Sequence, residues 1–352
     1  MAQKRIFLHI GIHKTATTTI QAGCTQNRAA LLEAGWLYPE TGTYLFGQHN
    51  VAWEMCEGHE QPWNQVNQWV QFHPDWGGMR ELLAEIHSSP APNIILSSED
   101  FDGCQTDRIQ RIREHFKDFD VEVIVYLREQ ASFLQSAWAQ FVKSGYVVEP
   151  FEVFIDRMLA SSDEVLRYFG AYDVFLQPWM DIFGAAHVHP KHFSRDAFKG
   201  HIFHDFLLEC QLSDVERFDI PRSQNISPGY KTLEMARLMA KDITEMEKRG
   251  TITHFIERMG KAKQWDAGKL NLITLELHQR VRDRFAKSNQ FLLDHFTDGD
   301  PFFGASFSEK PLSVFDKQSI SGEEWEEIAR SITTYFIQEH FVTMNLYDAW
   351  KR

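Results

Sequence analysis

The sequence predicts an α/β fold of three layers, in which a central parallel sheet is covered by helices on both faces. Three short apolar runs indicate the strands: Ile6–Ile10, Asn93–Ser98 and Val121–Leu127. They are mainly apolar instead of strictly alternating, which is typical of strands buried on both faces. Segments with helical spacing separate them, and the alternation of strands with helices favours a parallel sheet.

The expected helices follow the strands along the chain. The first begins at about Thr17 and runs into the region of Gln26, directly after the first strand. The segment Arg108–Phe119 carries its apolar residues at helical spacing and precedes the third strand. Beyond residue 200 the pattern is mainly helical, and helices are expected at His201–Cys210 and Pro228–Lys241.

A last helix is expected near the end of the chain. Ser321 with Glu324 three residues later predicts a capping box, in which each side chain bonds to the backbone of the other residue. One face of the helix would carry Trp325, Ile328, Ile332 and Tyr335.

These elements predict one domain spanning residues 1–352. Residues 1–200 would form the α/β core and residues 201–352 a mainly helical C-terminal extension. The segment 47–79 is polar, aromatic and irregular, as an insertion that covers a site would be. Its tryptophans, which could stack on a sugar or pack against helices, are Trp53, Trp63, Trp69 and Trp76.

The composition restricts the kinds of partner. The chain has 352 residues, 43% of them hydrophobic, so a large core is possible. Its 36 Lys+Arg against 49 Asp+Glu give a net charge of −13, which argues against a protein that coats nucleic acid or an anionic membrane. We therefore expect no nucleic-acid partner.

Cysteine use and apolar run lengths indicate the compartment. The four cysteines contain no closely spaced pair, which suits a reducing compartment and supports neither a disulfide scaffold nor a zinc site. No run approaches the ~20 apolar residues of a membrane span, and the N-terminus lacks the apolar core of a secretory signal. We expect a cytoplasmic protein without stable membrane insertion; the sequence does not indicate its oligomeric state.

The most informative segment is the turn between the first strand and the first helix. Gly11 and Lys14 lie in this turn, followed by Thr15, Thr17 and Thr18. The start of a helix favours an anion, and one lysine with three hydroxyls nearby predicts a phosphate-binding loop. It is not a Walker A motif, because two residues separate the glycine from the lysine and no second glycine precedes it. The alternative is a threonine-rich helix start with an incidental lysine.

The loop resembles that of the cytosolic-type bacterial sulfotransferases that use 3′-phosphoadenosine-5′-phosphosulfate (PAPS). The family pattern H-I-G-x-x-K-T-G-T-T-[ST]-[IL]-Q matches His9–Gln21, except that Ala16 stands where glycine is usual. A positive φ at Ala16 would cost about 1 kcal/mol or more, whereas a helical conformation would suit alanine better. Weaker resemblances follow in the family order at Gly35–Pro39, Leu96–Glu99, Val123–Arg128, Asn225–Pro228 and Phe285–Asn289.

The resemblance implies a fold related to the P-loop nucleoside kinases and sulfotransferases, with PAPS as cofactor and PAP as its product. The cofactor would contact His13, Lys14, Thr15, Ala16, Thr17 and Thr18. Arg128, at the carboxyl end of a strand, and Ser136, eight residues later, would hold the ribose 3′-phosphate, for which a guanidinium fork and a hydroxyl are suited. The alternative is a surface arginine and a helix-face serine.

The predicted reaction needs a charge stabiliser and a general base. Lys14 would stabilise the charge that develops on the leaving oxygen. The base is either Glu99, at the end of a strand, or His49, in the insertion; Glu99 is favoured because a core strand positions it rigidly. Burial would have to raise the pKa of a glutamate in this role. No metal is expected: the His187–His192 segment has no acidic neighbour in sequence, and the family has an ordinary strand there.

The predicted function is transfer of a sulfuryl group from PAPS to a hydroxyl of a carbohydrate, a glycolipid or another small hydroxylated acceptor. A first alternative is a P-loop kinase that uses ATP and Mg²⁺. A second alternative is a non-catalytic nucleotide-binding module on the same fold.

Overall fold

The computed structural model describes residues 3–56, 71–194, 196–222, 228–265, 270–304, 310–315 and 321–334. Some of the residues singled out above lie outside these ranges: Trp63, Trp69, Tyr335 and most of the segment at 225–228. What was predicted for them stays a prediction.

The described sheet has five parallel strands: β1 (Arg5–His9), β2 (Trp36–Leu37), β3 (Asn93–Ser97), β4 (Asp120–Leu127) and β5 (Val188–His192). Their order across the sheet is β2-β3-β1-β4-β5, so β1 is central. Its last residue, His9, lies opposite Ser97 of β3 and Ile124 of β4. The three predicted strands are confirmed as β1, β3 and β4, whereas β2 is too short to leave a pattern in the sequence.

The described α-helices, in chain order, are α1 (Thr17–Gln26), α2 (Arg28–Glu33), α3 (His49–Cys56), α4 (Met79–Ser88), α5 (Thr106–His115), α6 (Gln130–Lys143), α7 (Phe151–Leu159), α8 (Asp163–Leu166), α9 (Tyr172–Phe183), α10 (Ile202–Glu209), α11 (Tyr230–Ala240), α12 (Met246–Lys263), α13 (Leu275–Arg284) and α14 (Ala286–Phe296). A further helix covers residues 322–334. The predicted first helix is confirmed at both ends as α1, and α5, α10 and α11 confirm three others to within a few residues. None of the described helices combines the length and apolar character that a membrane-spanning segment needs.

Helices cover both faces of the sheet. On one face, Phe7, Ile95 and Ile124 from three neighbouring strands pack against Ile20 of α1 and Phe203 of α10. On the other face, α9 contacts β4 and β5, and α5 packs on α9. Because both faces are covered, the central strands have no solvent side, and this explains their mainly apolar sequences. The predicted three-layer α/β fold is confirmed.

The chain divides into two compact units. The first takes in residues 1–137, 152–226 and 273–309 and contains the sheet; the second takes in residues 138–151, 227–272 and 310–352. The second unit is helical where it is described, as the predicted C-terminal extension requires, and in it α11 packs against α12. That the whole chain behaves as one domain stays a prediction.

The predicted capping box opens the helix at 322–334. The backbone N–H of Ser321 donates to Glu324 Oε2 at 3.0 Å, and the backbone N–H of Glu324 donates to Ser321 Oγ at 3.1 Å. Two amides that the helix cannot satisfy are paired in this way. The side chains of Lys231 and Lys263 bond to Glu324 and Glu327 of this helix.

Two cysteines correct the expectation of a disulfide-free chain. Cys56, the last residue of α3, is bonded to Cys104, which directly follows a 3₁₀ helix at Glu99–Gly103. The partners are 48 residues apart, and only the packing of α3 on the 3₁₀ helix brings them together. The spacing of the cysteines in the sequence therefore gave no indication of this disulfide. The cysteines therefore give no support to a reducing compartment, because stable disulfides are typical of oxidising compartments.

Candidate active site

The loop that follows β1 packs directly on the segment that follows β3. Gly11 has a φ of 44°, and a Cβ atom there would lie 2.9 Å from the Cα atom of Glu99. No ordinary side chain fits such a distance, so glycine is needed for the approach. The carboxyl ends of β1 and β3 thereby place the predicted phosphate loop against the predicted base.

The backbone of this loop alternates in handedness. Lys14 and Ala16 have φ angles of 71° and 61°, whereas Thr15 between them has no positive φ. Such alternation turns successive N–H groups toward one concavity, which is the geometry of an anion-binding nest. Ala16 is also the residue before α1, where its φ of 61° and ψ of 26° place it in the left-handed region. Of the two conformations considered for Ala16, the structure has the strained one.

The threonines of the loop have different environments. Thr15 is fully buried and its hydroxyl donates to the Ile12 carbonyl oxygen at 2.6 Å, so it closes the turn. Thr17, the first residue of α1, is 4% exposed, and Thr18 is half-buried. Thr18 is thus the more accessible of the two helical hydroxyls. The first amides of α1 have no acceptor within the helix and complete the positive end that an anion would meet.

Arg128 lies at the same edge, immediately after β4. Its Nη1 atom donates to the carbonyl oxygen of Lys14 at 3.1 Å, and its guanidinium lies over the ring of Phe193 at 5.7 Å. The hydroxyl of Tyr172 donates to the Arg128 carbonyl oxygen. The arginine therefore holds the loop between β1 and α1 in place, a role that the sequence did not suggest.

Ser136 lies on α6 and is half-buried. The start of that helix is occupied by a side chain of the protein itself: Glu129 accepts from the backbone N–H groups of Ala131 and Ser132 at 3.0 and 2.9 Å. Because this carboxylate already accepts from the first amides of α6, those amides are not available to a bound anion. Only side chains of α6 could contact one. The assignment of Arg128 and Ser136 to a 3′-phosphate stays a prediction.

Residues of α1 and α3 hold the side chain of Glu99 in place. Its Oε2 atom accepts a hydrogen bond from Gln21 Nε2 at 2.7 Å and lies 3.9 Å from His49 Nε2. His49 is the first residue of α3 and is 7% exposed. The two candidate bases, which the sequence presented as alternatives, thus form one pair.

Gln48 fixes the position of this histidine. Its backbone N–H donates to the Ser97 carbonyl oxygen, and its side-chain oxygen accepts from the Ser97 N–H, both at 2.9 Å. Gly47 permits the approach, because a Cβ atom there would lie 2.8 Å from the same carbonyl oxygen. Residue 48 is consequently pinned to the end of β3, and the helix that begins at His49 starts from a rigid point. Residues 49–56 of the predicted insertion are thus helical, whereas residues 57–70 lie outside the described residues; that the segment 47–79 covers the site stays a prediction.

The charges in the pair favour the proton on the histidine. Burial lowers the pKa of His49, but the charge of Glu99 and the hydrogen bond to Asp100 outweigh it and raise the pKa to about 9. For Glu99, burial raises the pKa, but the attraction of His49, with that of His13 and the Gln21 hydrogen bond, lowers it overall. The raised pKa that was expected of a glutamate base is therefore not found, because the neighbouring imidazolium outweighs the effect of burial.

Two aspartates next to Glu99 were missed by the sequence analysis. Asp100 accepts from His49, and both Asp100 and Asp102 lie 3.9 Å from His13 Nε2. Burial, with the charges of Asp100 and Glu99, raises the pKa of Asp102 well above its usual range. The available signal was three carboxylates within four residues directly after a buried strand.

The aromatic residues near the site pack against each other. Trp76 is stacked on Tyr44 with 5.3 Å between ring centroids, and His73 lies 4.2 Å from Trp76. Trp53 is buried and its Nε1 donates to Asp100 Oδ2 at 2.8 Å. These contacts favour packing over stacking on a sugar for Trp53 and Trp76.

Two histidines of the 187–192 segment, His187 and His189, lie near the amino ends of β4 and β5, whereas His192 is the last residue of β5. His187 and His189 both contact Glu122 Oε2, at 3.3 and 2.7 Å. Asp120 is close to this group but is paired with Arg5 at 2.9 Å. The acidic neighbour missing in sequence is thus supplied by β4; these residues belong to the amino ends of β4 and β5, away from Lys14. That the catalytic site needs no metal stays a prediction.

Comparisons with known proteins assign no family. A scan against models of protein families finds no match. An uncharacterized protein of Archaeoglobus fulgidus is 22% identical over 254 residues, which are 70% of this chain; the match spans 63% of the length of that protein. The crystal structure of a sulfotransferase from Alicyclobacillus acidocaldarius is 15% identical with a TM-score of 0.42, over 72% of this chain and 97% of that one.

Proposed function

We propose that this protein is a sulfotransferase that uses PAPS and transfers its sulfuryl group to a hydroxyl. One observation carries the proposal: the loop between β1 and α1, with its positive φ angles at Lys14 and Ala16, packs closely on Glu99, whose carboxylate lies beside the buried imidazole of His49. The link is Gly11, where a Cβ atom would meet the Cα atom of Glu99 at 2.9 Å. A site with these two parts can hold a phosphate ester and, next to it, take a proton from a hydroxyl.

The residues present fit the cofactor. The backbone at Lys14–Ala16 and the start of α1 provide N–H groups for the 5′-phosphosulfate, together with the hydroxyl of Thr18. The Lys14 ammonium adds a positive charge. Arg128 and Ser136 are proposed to hold the 3′-phosphate, as the resemblance implies. The cofactor supplies a sulfuryl group that leaves a phosphate oxygen and bonds to the acceptor oxygen.

Two residues of the chain would have separate roles, one at the leaving oxygen and one at the acceptor hydroxyl. Lys14 would stabilise the negative charge that grows on the departing phosphate oxygen. Glu99 is ionised near neutral pH, because the imidazolium of His49 lowers its pKa, and can accept the acceptor's proton at a carboxylate oxygen. Gln21 holds that carboxylate in place through its 2.7 Å hydrogen bond. His49, with a pKa of about 9, is protonated and cannot itself accept a proton at pH 7.

The alternative P-loop kinase needs a carboxylate for Mg²⁺. Among the described carboxylates next to the loop, Asp102 has its pKa raised, and Glu99 and Asp100 are already engaged by Gln21 and His49. Protonated or engaged carboxylates are poor ligands for this hard cation. These contacts support the metal-free reaction.

The acceptor is proposed to be a small hydroxylated molecule, such as a saccharide or a glycolipid headgroup. A net charge of −13 would oppose a densely sulfated polymer. The packed rings of Trp76 and Tyr44 give no support to a sugar-stacking platform at that point.

The proposal is tested by following transfer from ³⁵S-labelled PAPS to a panel of saccharides and small alcohols, without divalent cations. Labelled product and stoichiometric PAP are expected with the native protein. Lys14→Ala should abolish transfer, whereas Lys117→Ala, at an exposed lysine before β4, should leave it unchanged. Phosphoryl transfer from ATP that requires Mg²⁺, with no transfer from PAPS, would instead identify a kinase.

A further inference from the structure

Asp100 is the carboxylate on which the two histidines of the site converge. Its Oδ2 atom lies 2.9 Å from His49 Nδ1 and accepts a second hydrogen bond from Trp53 Nε1 at 2.8 Å. Its Oδ1 atom lies 3.9 Å from the Nε2 atom of His13, the residue before Lys14. The residue is 7% exposed, so bulk water competes little for these contacts.

We propose that Asp100 is a positioning residue that fixes the ring orientation and tautomer of His49, so that the Nε2 atom of this histidine faces Glu99. The inference rests on the proposed function for its catalytic meaning. An ionised carboxylate only accepts hydrogen bonds, so the Nδ1 atom of His49 must be the donor. The Nε2 atom, 3.9 Å from Glu99 Oε2, is then the atom that gains or loses a proton.

Two neighbours reinforce this orientation. Ser98 Oγ lies 2.9 Å from the same Nδ1 atom and accepts from the backbone N–H of Asp100 at 3.1 Å. The ring of Trp53 is stacked beside that of His49, with 6.1 Å between centroids. A flipped imidazole would place Cδ2 against the carboxylate and Ser98, and Cε1 toward Glu99, so the ring would lose its hydrogen bonds to Asp100 and Ser98.

The segments that carry the two residues are also joined covalently. His49 begins α3, which ends at Cys56, and Asp100 lies in the 3₁₀ helix that Cys104 follows. The disulfide between these cysteines links the two segments covalently. Positioning of the histidine by Asp100 therefore takes place between elements that cannot drift apart.

Asp100 acts through His49, to which its Oδ2 atom is hydrogen-bonded. The charged or titratable groups that face His49 are Glu99, Asp100 and His13. Without the Asp100 charge, the imidazolium would lose one of its two favourable neighbours, and its pKa would fall. Glu99 would then lose part of the charge that keeps it ionised and aligned.

The test is the titration of the His49 imidazole, followed by ¹⁵N–¹H NMR on the full chain and assigned with His49→Gln. In the native protein we expect a pKa near 9 and, above it, a neutral ring that keeps its proton on Nδ1. Asp100→Asn should lower that pKa by one unit or more, while the exposed Asp118→Asn should leave it unchanged. A native ring protonated on Nε2 at high pH, which needs no variant to observe, would overturn the proposal, as would an unchanged titration in Asp100→Asn.

Kinetics separate positioning from general support of the fold. In Asp100→Asn we expect kcat to fall tenfold or more, with little change in the affinity for PAP or in KM for PAPS. An equal loss of PAP affinity and kcat would contradict a positioning role. If no form of the protein transfers sulfuryl groups, the proposed function fails, but the NMR titration still decides the role of Asp100.

Discussion

The Nε2 atom of His49 lies 3.9 Å from the Oε2 atom of Glu99 at the carboxyl end of the sheet, where His49 is buried and Glu99 is half-buried. Because each group stabilises the charged form of the other, the proton stays on the histidine and the glutamate stays ionised. The carboxylate is then the group able to accept a proton at neutral pH, and the imidazolium keeps it in that state.

The pH dependence of the reaction should identify the base. Glu99 has a lowered pKa, so with Glu99 as base kcat should be flat from about pH 6 to about pH 8. With His49 as base, kcat should instead rise as pH approaches 9, where this group loses its proton. Single-turnover transfer measured from pH 5 to pH 10 makes the distinction.

The matched substitutions Glu99→Gln and His49→Gln complete that test. We expect Glu99→Gln to retain PAP affinity and to lose roughly 10²–10⁴-fold in the chemical step. His49→Gln should have a smaller effect on that step. The reverse order of the two effects would make the histidine the base and Glu99 its structural partner.

Replacing Ala16 with glycine should stabilise the protein. Ala16 has a φ of 61°, a conformation that costs an L-residue about 1–2 kcal/mol and glycine almost nothing. After the greater flexibility of the unfolded glycine chain is subtracted, the free energy of unfolding should rise by about 0.5–1 kcal/mol. Ala30→Gly, in α2, is the control and should lower it by a similar amount. Denaturant unfolding measures both; a loss of stability in Ala16→Gly would show that the left-handed conformation is not adopted.

Lys14→Ala should affect catalysis more than cofactor binding. The backbone N–H groups of the loop and Thr18 would still hold the phosphate, whereas the charge of Lys14 is needed most when the leaving oxygen becomes negative. A loss of 10²-fold or more in kcat is expected, with a much smaller change in PAP affinity by calorimetry. An unchanged kcat with a raised KM would make Lys14 a binding residue only.

Reduction of the Cys56–Cys104 disulfide should destabilise the protein. A bond across 48 residues restricts the unfolded chain, and its loss costs about 2–4 kcal/mol. The remaining cysteines, Cys24 and Cys210, are free thiols, so a reductant does not change them. Thermal unfolding with and without reductant should differ for the native protein and not for a variant with alanine at both bonded positions. Four free thiols in the denatured, unreduced protein would show that the bond does not form.

The fold was predictable because its signals are local. Continuous apolar runs mark β1, β3 and β4, and the loop after β1 carries its own pattern of glycine, lysine and threonine. Glu99 and His49 were identified singly for the same reason. Their pairing, the role of Asp100 and the disulfide depend on how α3 packs on the segment after β3, about 50 residues away in sequence. The periodicity of apolar residues gives no information on such contacts or on the φ angle of Ala16.

The most direct test of the account is a calorimetric comparison of PAP with AMP, which differ by the 3′-phosphate, without divalent cations. A charge-assisted contact typically contributes ~1.5–3 kcal/mol, so the native protein should bind PAP about 10- to 100-fold more tightly than AMP. Arg128→Ala should reduce the ratio of PAP affinity to AMP affinity. This holds even if the loss of its hydrogen bond to Lys14 weakens the binding of both nucleotides. Equal affinities for PAP and AMP in the native protein, or tighter binding of ATP with Mg²⁺, would contradict a PAPS-dependent sulfotransferase.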